Sequence, residues 1–343
     1  MLLLATSTRY GWLASPASAL RAGGRRAARR TLMSEAPYGV GLSQSDMMER
    51  DLLILVDGDD RVTGAMSKRE AHTFGDETPR GWLHRAFSCF LFDARGRMLL
   101  TKRADSKITF PGVWTNACCS HPLHGRVPDE VDTAPVASDA FAMPGIKHAA
   151  RRKLEHELGI DPAQLPHADF RFLTRFHYWA ADTLTYGERA PWGEHEVDHV
   201  LFVQGDVDLA PNADEVSDAR FLTADELRAM LNEDGLKWSP WFVGIMERGG
   251  WEWWDNLGEA MRVGSKYADD RIVYFDPPAE HVAAYNLPSH GRSTGVRQLD
   301  RSKFGTYVRP DCDGYRVVPP VAELRKLRRE GKVVYNEATR SHV

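Results

Sequence analysis

The run of residues 146–158 is the feature of this 343-residue chain that most restricts its fold. It is the strongest helix candidate, and the Gly159 that follows it is typical of a helix end. Runs rich in aromatic or β-branched residues, which predict strands, lie on both sides of it: residues 52–56, 86–92, 98–101, 170–179 and 199–204. Single helices between strands predict a mixed α/β fold.

Shorter local patterns add further predicted elements. Ser67 is placed to cap a short helix that runs to about residue 74, and Thr223 begins another helix with a capping box. A tight turn at residues 93–96 predicts a hairpin. Residues 110–125 are rich in Gly, Pro, Asn and Ser and predict a loop. A helix rich in tryptophan is expected near residues 240–257.

Charge divides the chain into four predicted regions. Residues 1–33 contain six arginines and no acid, which is typical of a transit peptide for a plastid or mitochondrion; a basic tail on a cytoplasmic protein is the alternative. Residues 34–49 are predicted to be a linker, residues 50–276 the main domain, and residues 277–343 a basic extension of unknown role. Because the main domain is acidic, it would repel nucleic-acid phosphates. No run of about 18 apolar residues exists, so no membrane span is predicted.

Two pairs of chemically active residues stand two positions apart. Cys119 and His121 would project from the same side of an extended segment, so a thiol and an imidazole can line one pocket. A buried cysteine beside a loop histidine is the plainer interpretation. Glu194 and Glu196 would likewise share one side, with His195 on the other. Paired carboxylates repel unless a cation or a shared proton lies between them; a solvated acidic hairpin is the alternative.

Two more histidines complete a possible set of metal ligands. His72 lies near the end of a predicted helix, and His84 precedes an apolar strand. With His121, Glu194 and Glu196 they offer the nitrogen and oxygen donors that suit a five- or six-coordinate divalent ion. No two cysteines have zinc-finger spacing, so a closed structural zinc site is not predicted.

Four segments, in this order, resemble the type I isopentenyl-diphosphate isomerases. They are Leu-His-Arg-Ala-Phe-Ser, Thr-Asn-Ala-Cys-Cys-Ser-His-Pro-Leu, Trp-Gly-Glu-His-Glu-Val-Asp and Trp-Trp-Asp-Asn-Leu, and the similarity covers about residues 50–276. The resemblance implies the α/β class, as a Nudix-like α/β/α sandwich with a mixed sheet. It also implies interconversion of isopentenyl and dimethylallyl diphosphate, small-molecule precursors of isoprenoids, by protonation and deprotonation of an alkene.

The resemblance implies roles for individual residues. Cys119 and Glu196 would be the two acid–base groups, with Tyr178 and Trp241 as aromatic residues of the active site. One divalent ion, Mg²⁺, Mn²⁺ or Zn²⁺, would be bound by His72, His84, His121, Glu194 and Glu196. We expect the metal and nearby basic side chains to lower the pKa of the Cys119 thiol. We expect the ring of Trp241 to stabilise the cationic intermediate.

A second group of residues would bind the substrate diphosphate. By resemblance it consists of Lys68, Arg103, Lys107, Ser120 and Lys153. A Mg²⁺ ion carried on the diphosphate would meet Glu157. The chain departs from the family pattern here, because Arg152-Lys153 stands where many members have two arginines. Lysine keeps the charge but cannot offer the planar bidentate fork of arginine.

The predicted helix at residues 146–158 separates this expectation from a Nudix hydrolase. The hydrolase signature ends in Arg-Glu-U-x-Glu-Glu-x-Gly-U, where U is apolar, and this chain has Arg152-Lys-Leu-Glu-His-Glu-Leu-Gly-Ile160. Lys153 and His156 replace two glutamates, and Pro144 stands at an upstream one, so carboxylates that a hydrolase needs for its metals are absent. A diphosphate hydrolase and a non-catalytic Nudix-like binding module are the alternatives to the isomerase.

Overall fold

A sheet of ten strands occupies the centre of the main domain. The computed structural model of the protein describes residues 38–75, 78–133, 143–187 and 189–275, and beyond residue 300 only the backbone of four short strands. The strands of the large sheet are β1 (Leu52–Val56), β2 (Val62–Ser67), β3 (His84–Phe92), β4 (Met98–Arg103), β5 (Trp114–Asn116), β6 (Cys118–Ser120), β7 (Arg171–Ala181), β8 (Gly193–Gln204), β9 (Val216–Leu222) and β10 (Ile272–Phe275).

The sheet is mixed, as the sequence predicts. Its main path is β10-β7-β8-β3-β1-β2; β4 and β6 pair with β3, and β5 and β9 pair with β4. The pairs β3–β8 and β10–β7 are parallel, whereas β7–β8 and β4–β9 are antiparallel. All nine residues of β3 are buried, which is expected of a strand that is covered on both faces.

Helices cover the two faces of the sheet. They are α1 (Gln44–Arg50), α2 (Lys68–His72), α3 (Pro144–Leu158), α4 (Thr183–Tyr186), α5 (Ala224–Leu231), α6 (Pro240–Ile245), α7 (Trp251–Asp255) and α8 (Leu257–Ala260). On one face, Ile146 and Leu154 of α3 pack with Leu91 in one apolar core. On the other face, Phe90 belongs to a second core with Phe242 of α6 and other residues of α5 to α8. Alternate residues of β3 therefore enter opposite cores, which produces the predicted three layers.

Elements with strong local signals agree with their predictions. Leu52–Val56 is a strand, and the side chain of Ser67 caps α2 by accepting a hydrogen bond from the backbone of Glu70. Helix α3 ends at Gly159, whose φ of +66° is the left-handed conformation that favours glycine. Thr223 caps α5 with both hydrogen bonds of a capping box.

Three local predictions are wrong in part. The segment 110–125 is not all loop, because it contains β5 and β6. The expected hairpin of β3 and β4 separates at once: the two strands pair only at Phe92 and Met98, and each then pairs with other strands. The tryptophan-rich helix is interrupted between α6 and α7, where Arg248 and Gly249 have non-helical backbone angles in a π turn, Met246–Gly250.

The chain beyond residue 300 includes two small two-stranded sheets. They are formed by β11 (Tyr307–Asp311) with β12 (Gly314–Val318), and by β13 (Tyr335–Asn336) with β14 (Ser341–His342). The predicted transit peptide at residues 1–33, part of the predicted linker and most of the basic extension lie outside the described residues. Within the described ranges, no helix has the length and apolar character needed to cross a bilayer.

Asp60 fixes the turn after β1 to the centre of the sheet. Its carboxylate lies 2.8 Å from Nε of Arg85, 3.1 Å from Nη1 of Arg175 and 3.0 Å from Nε2 of His199, which belong to β3, β7 and β8. Burial alone would raise the pKa of Asp60, but His199 and Arg85 hold it well below its usual range. One carboxylate therefore connects the three strands that carry most of the candidate site.

Candidate active site

Three imidazoles and two carboxylates meet on one face of the sheet. The possible ligand atoms of His72, His84, His121 and Glu194 are buried and all lie within 4.8 Å of one another. Glu196 joins them, because its Oε1 is 2.9 Å from Nε2 of His121 and 3.8 Å from Nε2 of His84. These residues come from α2, β3, the segment after β6, and β8. The structure thus brings together all five expected metal ligands, and their role as ligands stays a prediction.

Backbone carbonyls orient two of the imidazoles. Nδ1 of His72 is 2.8 Å from the carbonyl oxygen of Lys68, and Nδ1 of His84 is 2.7 Å from that of Trp82. Each Nδ1 therefore carries a hydrogen, and each Nε2 is directed to the centre of the group. Nε2 of His84 is buried and has no hydrogen-bond partner among the described residues. A buried nitrogen left in this state fits a site that is completed by a cation.

The charges of the group also suit a cation. Burial, together with the neighbouring His84 and His72, places the pKa of His121 well below its usual value. Burial also lowers the pKa of His72, although Glu194 acts in the opposite direction. For Glu194, burial would raise the pKa, but His72 more than compensates and the pKa is lowered. Imidazole nitrogens and carboxylate oxygens are the donors that divalent metals use.

Glu196 faces two neighbours with its two oxygens. Oε1 is directed to His121, and Oε2 accepts a hydrogen bond of 2.5 Å from the hydroxyl of Tyr178. Burial, with Glu196 as the next cause, raises the pKa of Tyr178 well above its usual value, so the phenol keeps its hydrogen. Glu196 and Tyr178, both expected in the active site, are therefore in direct contact.

Polar side chains surround the thiol of Cys119, which belongs to β6. Its Sγ is 2.9 Å from Oδ1 of Asn116, which accepts the S–H hydrogen, and 2.9 Å from the indole Nε1 of Trp241, which donates to sulfur. Thr115 Oγ1 and Ser88 Oγ are 3.5 Å and 3.7 Å away. Trp241 is therefore beside the thiol, as the resemblance implies.

The residues around the thiol of Cys119 do not lower its pKa, and the lowering expected from a bound metal stays a prediction. Burial raises the pKa of Cys119 to about 12, and the polar contacts with Thr115, Ser88 and Trp241 offset this only in part. The nearby Asp198 acts in the same direction as burial. The side chains that contact the sulfur are neutral rather than basic, so they do not supply the positive charge expected from nearby Lys and Arg.

Sequence reasoning missed three polar residues around the thiol. Asn116 donates its Nδ2 hydrogens to the carbonyl oxygens of Cys89 and Cys118, which fixes the direction of its Oδ1. Ser88 donates a hydrogen bond of 2.7 Å to Asp198, whose carboxyl is 1% exposed. Two signals existed: Asn116 lies inside the Thr-Asn-Ala-Cys-Cys segment, and Asp198 continues the alternation of Glu194 and Glu196 along β8.

The expected diphosphate ligands include a buried cluster of opposite charges. We call Lys107, Lys153, Glu157 and Glu215 the lysine–glutamate cluster. Nζ of Lys107 donates a short hydrogen bond to Oε2 of Glu215, and Nζ of Lys153 is 3.0 Å from Oε1 of Glu157. All four residues are at most 8% exposed. Glu215 was not predicted, because it is far in sequence from every motif.

The remaining expected diphosphate ligands lie around this cluster. Burial lowers the pKa of Lys68 to about 8, and the next causes, repulsion by Lys107 and Lys153, place it near the cluster. The guanidinium of Arg103 donates to the carbonyl oxygens of Phe110 and Thr109, and its Cζ lies 5.8 Å from the centre of the Trp241 ring. Ser120 is a partly buried residue of β6. Their contact with a diphosphate stays a prediction.

The layered sheet, helix α3 and the carboxylate-bearing strand β8 define a class. The NUDIX domain family matches residues 82–242, from the residues just before β3 into α6. The chain therefore contains a Nudix domain, and the expected fold class is confirmed.

Relatives from three organisms identify the family more closely. The isopentenyl-diphosphate delta-isomerase of Gibberella zeae is 41% identical over 240 residues, which are 70% of this chain and 88% of that protein. The enzyme of that name from Aspergillus fumigatus is 44% identical over 66% of this chain and 79% of that protein. The one from Bos taurus is 39% identical over 63% of this chain and 92% of that protein. This chain belongs to the isopentenyl-diphosphate delta-isomerase family.

Proposed function

We propose that this protein interconverts isopentenyl diphosphate and dimethylallyl diphosphate, with Cys119 and Glu196 as its two acid–base groups. The contact of His121 with Glu196 is the observation that supports this proposal most. His121 is two residues after Cys119 and 2.9 Å from the Glu196 carboxylate, so the short segment that carries the thiol also reaches the carboxylate. The reaction needs an acid and a base that both reach one alkene, and a thiol and a carboxylate can supply them.

The chemistry requires two such groups. An alkene is a very weak base, and a proton added to its terminal carbon leaves a tertiary centre with carbocation character. A proton must then leave the neighbouring carbon, so that the double bond re-forms one position along the chain. One of Cys119 and Glu196 donates the first proton and the other accepts the second, and the two exchange parts in the reverse direction. Tyr178 is hydrogen-bonded to Glu196, so its hydroxyl is placed to relay a proton between Glu196 and the substrate.

Other residues position the substrate. The diphosphate does not react, so its binding serves to hold the alkene between the acid and the base. Lys68, Arg103, Lys107, Ser120 and Lys153 are the residues proposed to bind it. The indole of Trp241, next to the thiol, supplies an aromatic face for the cationic centre, an interaction of about 2 kcal/mol or more when water is excluded.

Two divalent ions belong to the proposal. His72, His84, His121, Glu194 and Glu196 would hold one ion, and the three imidazoles favour Zn²⁺ over Mg²⁺ or Mn²⁺. When bound, this ion compensates the repulsion of the two glutamates and polarises the Glu196 carboxylate. Mg²⁺ accompanying the substrate diphosphate would meet Glu157. Removal of metal with a chelator should abolish turnover, and full activity of the metal-free protein would contradict the His/Glu site.

Composition supports a proposal about location. The six arginines and the absence of acid in residues 1–33 fit a transit peptide that directs the enzyme to a plastid or mitochondrion. A fusion of these residues to a fluorescent protein would test it: cytoplasmic fluorescence would support the alternative.

An assay of purified protein with isopentenyl diphosphate and Mg²⁺, which follows the formation of dimethylallyl diphosphate, tests the function. We expect Cys119→Ala and Glu196→Gln each to remove nearly all turnover while the circular dichroism spectrum stays unchanged. Cys118→Ala is the matched control, because this adjacent cysteine lies in the apolar core around α3 and should not affect the chemistry. Substantial turnover in both Cys119→Ala and Glu196→Gln would refute the assignment.

A further inference from the structure

Two of the cations expected to receive the diphosphate, Lys107 and Lys153, already have carboxylate partners. In the lysine–glutamate cluster, Lys107 is bound to Glu215 and Lys153 to Glu157. Burial lowers the pKa of Lys107, and the attraction of Glu215 opposes that effect. For Lys153, attraction by Glu157 and Glu215 outweighs burial, and the pKa is raised. The cluster has two positive and two negative groups, so its two lysines add no net charge for the attraction of an anion.

This neutrality has a consequence for a diphosphate that arrives alone. Its oxygens would have to replace the glutamate oxygens at the two ammonium groups. Glu157 and Glu215 would then remain buried beside the new anion, and like charges in one buried site repel strongly. A pocket of free lysines would prefer the metal-free diphosphate, which has more negative charge. The lysine–glutamate cluster should instead prefer the diphosphate that is bound to a divalent cation.

Glu215 is well placed to control this preference. Its backbone N–H donates to the carbonyl oxygen of Asn212, and Oε1 accepts a hydrogen bond of 2.9 Å from the amide of Gln44, on α1. Nδ1 of His156 is 3.7 Å from Oε1. The residue also lines a cavity of about 900 Å³ together with Gln44 and His156. Glu215 therefore stands between that cavity and Lys107.

We propose that Glu215 is a specificity residue, which makes the anion pocket accept a diphosphate only together with a divalent cation. Its carboxylate compensates Lys107 when the pocket is without substrate. With Glu157 it also supplies negative charge, which the cation of a metal–diphosphate complex offsets. Only then are both ammonium groups available to diphosphate oxygens without two uncompensated carboxylates. This inference rests on the proposed function, since it assumes that the cluster is the diphosphate site.

Calorimetric titration of the metal-loaded, desalted protein with inorganic pyrophosphate, with and without Mg²⁺, tests the proposal. We expect the wild type to bind pyrophosphate at least about tenfold more tightly with Mg²⁺, because like-charge contacts in a buried site cost several kcal/mol. Glu215→Gln should remove this preference, mainly by tighter binding of metal-free pyrophosphate. Asp214→Asn is the matched control, since it removes the same charge from the exposed neighbouring residue and should leave the preference unchanged.

Two further variants keep the test decisive. Lys107→Met combined with Glu215→Gln should lose the gain in metal-free binding, because the ammonium group that produces it is gone. If Glu215→Gln does not fold, Glu215→Ala, which also uncovers Lys107, should show the same loss of metal preference.

The outcomes distinguish this inference from the proposed function. Equal binding by the wild type with and without Mg²⁺, or an unchanged preference in Glu215→Gln, would overturn the inference. So would a wild type that isomerises isopentenyl diphosphate but binds no pyrophosphate. A protein that shows the predicted metal preference but does not isomerise the substrate would support the role of Glu215 and refute the proposed function.

Discussion

Replacing Glu194 by glutamine should remove most of the stability that metal gives to the folded protein. The change keeps the shape of the side chain and deletes the charge that lies 2.7 Å from Nε2 of His72. Since Glu194 is 5% exposed, solvent cannot replace the lost ligand. The variant therefore tests the His/Glu site without any measurement of activity.

The size of the effect follows from the linkage between binding and folding. At a free metal concentration of about 100 times the dissociation constant, binding stabilises the native state by about 2.7 kcal/mol. For a domain of the size of residues 38–275, each kcal/mol raises Tm by about 2–4 °C, so metal should raise it by about 5–11 °C. If the variant binds metal about 100-fold more weakly, the same metal concentration gives about 0.4 kcal/mol, a shift of less than about 2 °C.

Differential scanning calorimetry with and without metal measures both shifts. Glu233→Gln, a variant of an exposed glutamate after α5, is the control and should keep the wild-type rise in Tm. A full rise in Glu194→Gln would refute the assignment of this residue as a ligand. A rise lost equally in both variants would show that the effect is not specific to the site.

Two other predictions concern the buried residues Tyr178 and Asp60. Tyr178→Phe removes the hydroxyl that is 2.5 Å from Glu196; we expect kcat to fall by about 10²–10⁴ with KM unchanged, and steady-state kinetics with a wild-type kcat would argue against proton transfer through the phenol. Asp60 has a folded-state pKa below its unfolded value, so it stabilises the native state above the unfolded pKa of about 3.9, and that stability is lost as the pH falls through the folded pKa. Asp60→Asn, which leaves Arg85 and Arg175 without their carboxylate, should cost about 3–5 kcal/mol at pH 7. In urea unfolding the gap from the wild type should be smaller at pH 3 than at pH 7; a constant gap would contradict this reasoning.

The parts of the fold that could be predicted have their causes close together in the sequence. Helix α3 shows its end in Gly159, and α5 shows its beginning in Thr223, because caps use residues within one turn. Strands β5 and β6 have three residues each, too few for a periodic pattern. They exist because β4 and β3 lie beside them, and this is information that a local pattern does not contain.

The candidate site likewise has a part that the sequence predicts and a part that it does not. The spacing of Cys119 and His121, and of Glu194 and Glu196, is enough to predict shared faces, because alternate side chains of an extended segment project from one side. Glu215 gives no such signal, since its partners Lys107 and Gln44 are 108 and 171 residues away. The surroundings of the Cys119 thiol give no such signal either, since Trp241, whose indole donates a hydrogen bond to the sulfur, is 122 residues away.

The pairing of β3 and β8 limits how this protein can evolve. His84 stands directly beside Glu196 in the parallel ladder, while His195 points the other way and lies 3.1 Å from His177. An insertion or deletion of one residue within this part of β8 would exchange the two faces of the strand. Glu194 and Glu196 would then both project from the face of the strand that lies away from the histidine group. Homologous genes should therefore vary freely in length at the surface loops but keep the spacing of these residues unchanged.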